Sequence, residues 1–184
     1  EQHCSDKPQG QTDVGCLSAT LNSLAKPCAA ALRAQQELSS HDIRLNLDLF
    51  LACKPIIPKL CGDTISFAKL EKEYNIAADL HIGEETNGGI LDCLIERRSE
   101  LPRGGNCARE VSTALQHRGE NIKLDPTLST ACHDDQIQWC GHVDSNVPGA
   151  VQDCLSLHLA RLSPDCLAAD FEFVKMRAAD VRLN

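Results

Sequence analysis

The chain has few of the large side chains that usually fill a hydrophobic core. Only 3% of its 184 residues are aromatic, with four Phe, one Tyr and one Trp, and it has a single Met. Aromatic side chains contribute much of the apolar area that a domain of this length buries on folding. We therefore expect something other than bulky core residues to stabilise this protein.

Other absences exclude whole classes of protein. No apolar run comes near the roughly 20 residues that a membrane-spanning helix requires, so we expect no membrane contact by this segment. The net charge of −8 argues against a nucleic-acid surface and gives a mild preference for basic partners. The chain contains no Asn-x-Ser/Thr, so we expect no N-linked glycan. Because it begins at Glu1 with no signal peptide, we interpret it as a segment of a longer ectodomain.

Cysteine, in contrast, is abundant and regularly spaced. The same intervals of 24 and 7 residues separate the members of two successive triplets, which are Cys28, Cys53 and Cys61, then Cys107, Cys132 and Cys140. Cys-Leu pairs precede both triplets and open a third block that reaches Cys166; the pairs are Cys16-Leu17, Cys93-Leu94 and Cys154-Leu155. A fixed period of this kind predicts tandem units that bury their apolar faces against one another in an elongated array.

A second motif fixes the register of the repeats. Segments 42–46, 121–125 and 180–184 share an acid-or-amide, aliphatic, basic, Leu pattern, and each begins 14 positions after a cysteine. From this register we predict three units, which are a partial repeat at 1–45, a repeat at 46–124 with an insertion at about 62–89, and a repeat at 125–184.

The spacing of apolar residues predicts an all-α fold, since no segment alternates as a strand does. Apolar residues at helical spacing surround Cys53 with Cys61, and Cys132 with Cys140, so we predict a helix across each pair. Asn46 and Asp125-Pro126 are start signals for these helices, whereas Pro55 and Pro58 should break the first one. A short helix is expected at each Cys-Leu pair, followed by a longer helix near Cys28, Cys107 and Cys166.

Eleven cysteines without a Cys-x-x-Cys pair indicate a disulfide framework in an oxidising compartment of the secretory pathway. Spacing alone does not fix the connectivity, but parity and helix direction favour a frame that begins at the helix of Cys53. A frame beginning at Cys16 leaves three cysteines unmatched. The favoured pairs are Cys4 with Cys16, Cys53 with Cys107, Cys61 with Cys93, Cys132 with Cys166, and Cys140 with Cys154. Cys28 is then unpaired, with its partner expected upstream of residue 1.

The framework resembles the cysteine-rich repeats of the Golgi apparatus protein 1 family, also called E-selectin ligand 1 or the cysteine-rich fibroblast growth factor receptor. The shared motif is Cys-x7-Cys, a Gly-bearing turn, Cys-Leu, a further Cys and an Asp-aliphatic-basic-Leu tail. Here it stands as Cys132 to Cys140, Gly149 to Leu155, Cys166 and Asp180 to Asn184.

This resemblance implies a luminal or cell-surface segment of a type I Golgi membrane glycoprotein with many tandem repeats. It also implies binding of fibroblast growth factors, carbohydrate-dependent binding to E-selectin, and association with latent transforming growth factor β. We do not expect E-selectin binding to map to N-glycans in this segment. The resemblance supplies no contact residues that can be carried over to this sequence.

The insertion is the strongest candidate for a partner-binding site. Residues 66–80 carry Phe67, Leu70, Tyr74, Ala77 and Leu80 at helical spacing, which predicts an amphipathic helix that packs on the array. Long additions to a scaffold often carry binding, so a ligand-binding projection is the alternative. Its candidate contact residues are Tyr74, Glu71, Glu73, Glu84 and Glu85.

Enzymatic and metal-binding interpretations have little support. The histidines at 81, 117, 133, 142 and 158 lack neighbouring cysteines at zinc-finger spacing, so we expect solvated side chains and no metal or cofactor. Asp134-Asp135 and Glu84-Glu85 lack a nucleophile or orienting partner and are also expected to be solvated. Trp139 should pack against its neighbouring disulfide. We predict a non-enzymatic growth-factor-binding segment; the alternatives are a spacer between binding repeats and a thiol oxidoreductase with a redox-active cysteine pair.

Overall fold

The structure, a computed structural model, describes residues 4–5, 12–62 and 88–178. Within these ranges the chain forms ten α-helices and five short 3-10 helices but no β-strand, which confirms the predicted all-α class. The α-helices are α1 (Asp13–Ala19), α2 (Lys26–His41), α3 (Leu47–Cys53), α4 (Ile57–Leu60), α5 (Gly89–Glu96), α6 (Asn106–Glu120), α7 (Pro126–Ala131), α8 (His133–Cys140), α9 (Ala150–Leu157) and α10 (Pro164–Ala178). None of these helices is long and apolar enough to cross a bilayer.

The order of elements recurs along the chain as the cysteine spacing predicts. A short helix carries the Cys-Leu pair (α1, α5 and α9), a 3-10 turn follows, and a long helix comes next (α2, α6 and α10). The aliphatic-basic-Leu motif forms a 3-10 turn after the first two long helices, at Ile43–Leu45 and Ile122–Leu124. The third copy of this motif lies outside the described residues.

The prolines interrupt the first inter-cysteine helix as predicted. Asn46 caps α3, because its side chain accepts a hydrogen bond from the Leu49 N–H at 3.2 Å. The helix ends at Cys53, three residues form turns, and α4 begins at Ile57 with Pro58 in its first turn. Proline suits that first turn because it has no N–H and its φ is already helical.

The second predicted helix, which starts after Asp125, is also divided into two, so the prediction of one continuous helix is wrong at Cys132, although α8 spans the segment between Cys132 and Cys140 as predicted. Asp125 caps α7 by accepting from the Leu128 N–H at 2.9 Å, as expected. The break falls at Cys132, whose φ of −100° and ψ of 7° lie outside the helical range. Neither proline nor glycine marks this break. Cys132 is instead fully buried and bonded to Cys166 in α10, so a tertiary link accompanies the change of direction.

The chain divides into two compact units, residues 1–90 and 91–184. In the described part of the second unit, the buried residues of one core cluster are four half-cystines, aliphatic residues and a single aromatic residue, Phe173, with Trp139 partly buried against them. Disulfide sulfur thus takes up core space that aromatic rings occupy in other domains. The repeat boundaries at 45/46 and 124/125 stay a prediction.

Candidate binding surface

Disulfides fix the scaffold on which any binding surface is carried. The structure joins Cys4 to Cys16, Cys132 to Cys166, and Cys140 to Cys154, across sequence separations of 12, 34 and 14 residues. These are three of the pairs that parity and helix direction favour. Four further cysteines are also disulfide-bonded, and their pairing as Cys53 with Cys107 and Cys61 with Cys93 stays a prediction.

Cys28 carries an exposed free thiol in the first turn of α2. The other ten cysteines, all within the described ranges, are in disulfides. Dithiol exchange needs a second thiol that closes an intramolecular disulfide with the first. Among the described residues, no second free thiol accompanies Cys28.

The candidate contact residues of the insertion, Tyr74, Glu71, Glu73, Glu84 and Glu85, lie outside the described residues, as does the helix predicted at 66–80. The chain is anchored on both sides of this segment. On the N-terminal side Cys61 is fully buried and disulfide-bonded. On the C-terminal side Gly88 is buried, and its N–H donates to the His41 carbonyl at the end of α2 at 2.9 Å. Gly88 has a φ of 80°, which a residue with a side chain rarely adopts.

The two acids at the start of α8 have different environments. Asp134 is fully exposed, as predicted. The same expectation is wrong for Asp135, which is 6% exposed. Its carboxylate accepts from the Ser163 N–H at 3.1 Å and from the Ser163 hydroxyl at 2.6 Å. Ser163 in turn caps α10, because its hydroxyl oxygen accepts from the Cys166 N–H at 3.3 Å. Asp135 is therefore a structural link between α8 and α10.

The histidines also differ from one another. His133 and His142 are exposed as expected, whereas His117 is half-buried, so the expectation of solvated side chains is wrong for it. Burial lowers the pKa of His117, and the negative charge of Glu120 opposes this shift. His81 lies outside the described residues. Within the described ranges, no group of three or more His, Cys, Asp or Glu side chains could hold a metal ion.

Trp139 packs against the core that contains the Cys140–Cys154 disulfide, in agreement with its prediction. Its ring stacks on His158 with the centroids 5.7 Å apart, so His158 is also not a fully solvated residue. The guanidinium of Arg161 lies 5.2 Å from the indole centroid, within cation–π distance. Among the described residues, the buried indole N–H has no hydrogen-bond partner.

The sequence did not lead us to predict the buried charge network around Arg118. The Arg118 side chain is 2% exposed and lies 2.5 Å from Asp92 and 3.8 Å from Asp125. Burial raises the pKa of Asp125, and the positive charge of Arg118 opposes this shift. A register signal was available, because Asp92 and Arg118 recur one repeat later as Asp153 and Arg177. Such a recurrence suggests paired roles for the two residues.

The recurring pair lies in a different setting. Asp153 and Arg177 are exposed and line an open cleft of about 430 Å³. The other lining residues are Gln116, Gly119, Glu120, Pro148 and Gly149. A cleft lined by both acidic and basic groups offers hydrogen bonds and charge contacts to a polar partner.

Comparison with known proteins shows the family of this chain. The family model described as Cysteine rich repeat matches residues 26–101 and 105–163, which is more than half of the chain. The chain belongs to the cysteine rich repeat family. The two matches follow one another along the sequence, so this chain holds cysteine rich repeats in tandem.

Several curated proteins are similar to these cysteine rich repeats. Golgi apparatus protein 1 of Homo sapiens is 26% identical over 176 residues, which is 93% of this chain and 14% of the relative. The Gallus gallus protein of that name is 24% identical over 90% of this chain and 14% of the relative. Golgi apparatus protein 1 homolog of Caenorhabditis elegans is 23% identical over 76% of this chain and 12% of the relative. The chain thus spans about a seventh of the length of the relatives it matches. No solved structure matches it.

Proposed function

We propose that this chain is a luminal or extracellular segment of a Golgi and cell-surface membrane protein that binds basic secreted growth factors, fibroblast growth factors in particular. The similarity to Golgi apparatus protein 1 supports the compartment. The disulfides support it independently, because such bonds persist in the oxidising lumen of the secretory pathway. The segment contributes to the trafficking or regulation of these factors without enzymatic activity. Latent transforming growth factor β is a further candidate partner.

The acidic insertion is the proposed contact region. The observation that carries the proposal is a net charge of −8 on a scaffold whose insertion is anchored at both ends, by Cys61 and by Gly88. An anchored base lowers the entropy that a binding segment loses when it meets its partner. Complementary charge accelerates the encounter with a basic protein and favours it over acidic competitors. In this proposal Tyr74 supplies a rigid contact, and the neighbouring glutamates supply the negative electrostatic potential that attracts a basic partner.

Binding of a basic fibroblast growth factor to the immobilised chain tests the proposal. We expect the affinity to fall about tenfold or more as salt rises from roughly 0.05 M to 0.5 M, because salt screens exposed charges. Absent or salt-independent binding removes this segment from the role.

A matched pair of variants separates local contacts from overall charge. One variant converts the four glutamates of the insertion to glutamine, at Glu71, Glu73, Glu84 and Glu85. The control converts four exposed acids of the helices to amides, at Glu37, Glu96, Glu100 and Asp165. Both change the net charge equally, so only the first should lower the affinity by more than the general charge effect. Equal losses in the two variants argue against the insertion as the contact region.

The spacer alternative rests on the tandem repeats and their disulfides, which can set a distance between binding repeats elsewhere. Deleting residues 63–87 distinguishes the two functions, since it leaves Gly88 and α5 in place. If this segment is a spacer, partner binding by the other repeats persists after the deletion. If it is the proposed binding segment, the deletion abolishes partner binding. The deleted protein should retain the Cys132–Cys166 and Cys140–Cys154 disulfides, which peptide mapping can verify.

A further inference from the structure

The three long helices carry an equivalent face whose positions follow the helix cysteine by 1, 5, 8 and 12 residues. Residues at this spacing lie on one side of a helix. We call it the packing face. It consists of Ala29, Arg33, Gln36 and Ser40 in α2; Ala108, Ser112, Leu115 and Gly119 in α6; and Leu167, Phe171, Val174 and Ala178 in α10.

In the first two long helices every position of the packing face is buried or half-buried, whereas in the third helix all four positions are exposed. In α6, Leu115 is 0% exposed and Ala108 is 6% exposed. In α10, Leu167, Phe171 and Val174 are 41%, 65% and 50% exposed. The open face is also the most apolar of the three, and it exposes one of only four Phe residues in the chain. A contiguous exposed apolar face of this kind marks an interaction surface.

The repeat that follows α6 contacts the C-terminal end of this helix. Arg177 lies so close to Gly119 that its Nε is 3.2 Å from where a Cβ on Gly119 would be. The side chain of Gln152 donates to the Arg118 carbonyl at 2.9 Å, and the Gly149 N–H donates to the Glu120 carbonyl at 2.8 Å. The bond from Gly88 to His41 at the end of α2 is the equivalent of this last contact. Contact from the following repeat is thus a recurring feature of these helices.

An independent observation concerns the Asp–Arg pair beside this face. In the second repeat, α7 of the following repeat meets the pair: Asp125 is 3.8 Å from Arg118, and the Thr127 hydroxyl is 3.4 Å from Asp92. A similar contact joins α3 to the start of α1, where Asp48 accepts from Thr12. In the third repeat the register equivalents of this pair, Asp153 and Arg177, line the open cleft. The described residues contain no helix equivalent to α7 beside them.

We propose that the packing face of α10 and the cleft beside Asp153 and Arg177 form one seat for a further cysteine rich repeat. In this arrangement the first helix of the added repeat lies over the cleft, with the acid or amide that caps it near Arg177, as Asp125 lies near Arg118. Apolar residues of the added repeat cover Leu167, Phe171 and Val174. The seat is separate from the insertion, so the proposal for it is independent of the proposal for growth-factor binding.

The test extends the full chain by a second copy of residues 126–184 placed after Asn184. This keeps the register, because Asn184 is the equivalent of Asp125. The added copy carries Phe171→Leu, so the peptide that contains Phe171 is unique. Hydroxyl-radical footprinting then compares Phe171 in the native and extended chains. We expect its modification rate to fall about threefold or more on extension, because a seated repeat excludes water from the apolar face. Phe173, which is 2% exposed, is the control in the same helix and should stay protected in both chains.

An unchanged rate at Phe171 overturns the proposal when peptide mapping shows that the added copy has formed its disulfides. A second measurement needs no added repeat. In the native chain, Phe171→Glu should leave the urea midpoint as unaffected as Leu157→Glu, since Leu157 is 85% exposed and lies outside the face. A clear loss of stability with Phe171→Glu alone shows that the chain already covers this face and overturns the seat. Sedimentation gives a third outcome: a dimer of the native chain that Phe171→Glu abolishes makes a second copy the occupant and also contradicts the proposal.

Discussion

Replacing Asp135 by alanine should destabilise the second unit, although Asp135 is next to a solvated acid and carries no sequence signal of importance. Its carboxylate accepts two hydrogen bonds from Ser163, from the N–H at 3.1 Å and from the hydroxyl at 2.6 Å. The substitution leaves both donors unpaired and frees the Ser163 side chain that caps α10. Asp134→Ala is the matched control, because Asp134 is fully exposed in the same turn.

The magnitude follows from the charge of the acceptor. A hydrogen bond to a charged group contributes about 1.5 to 3 kcal/mol. Because Ser163 is exposed, hydrogen bonds to water replace part of those that the substitution removes. We therefore expect the free energy of unfolding to fall by about 2 kcal/mol. Asp134→Ala should leave stability nearly unchanged, as is usual for exposed positions.

Urea unfolding followed by tryptophan fluorescence measures the effect. Trp139 is the only tryptophan in the chain and lies in the same helix as Asp135, so the signal reports on this unit. With a slope of about 2 kcal/mol per molar urea, the midpoint should fall by about 1 M for Asp135→Ala. Ser163→Ala added to Asp135→Ala should cost less than the sum of the single changes, because the two residues share their bonds. Equal midpoints for Asp135→Ala and Asp134→Ala would refute the reasoning.

Three further outcomes follow from the same unit. Arg118→Met should cost about 3 kcal/mol in the same assay, because it leaves the buried Asp125 carboxylate without its cation, whereas Arg177→Met at the exposed equivalent position should cost little. Burial raises the pKa of Asp170 above 3.8, so this residue destabilises the fold once it is charged. Asp170→Asn should therefore raise the urea midpoint at pH 7. This gain should vanish below pH 3.8, where the Asp170 carboxyl and the asparagine that replaces it are both neutral. Removing the Cys140–Cys154 disulfide with two alanines should cost roughly 3 kcal/mol for a loop of this length, measured by the same urea titration; a loss near zero would count against crosslinking as a main source of stability.

Much of the fold is predictable because short-range signals determine it. The cysteine register places the short and long helices, and the caps at Asn46 and Asp125 fall where an amide and a carboxylate can accept free N–H groups. Pro55 lies in the first helix break and Pro58 in the first turn of α4, for reasons of backbone geometry alone. The equivalent break at Cys132 has no such local cause, and sequence periodicity runs through it.

The features that sequence reasoning missed depend on long-range contacts. Asp135 and Ser163 are 28 residues apart, and Arg118 and Asp92 are 26 residues apart. Nothing in the local pattern of charges distinguishes Asp135 from Asp134 or indicates that Arg118 is buried. Only the recurrence of the Asp92 and Arg118 pair as Asp153 and Arg177 carries a signal, and it becomes visible once the repeats are aligned.

Peptide mapping of the non-reduced protein tests the central claim, that disulfides within the repeats stabilise their helical fold. We predict that fully folded protein yields the linked peptides of Cys4 with Cys16, Cys132 with Cys166, and Cys140 with Cys154, together with one alkylatable thiol at Cys28. Folded, helical protein in which most of these cysteines are recovered as free thiols would contradict the account.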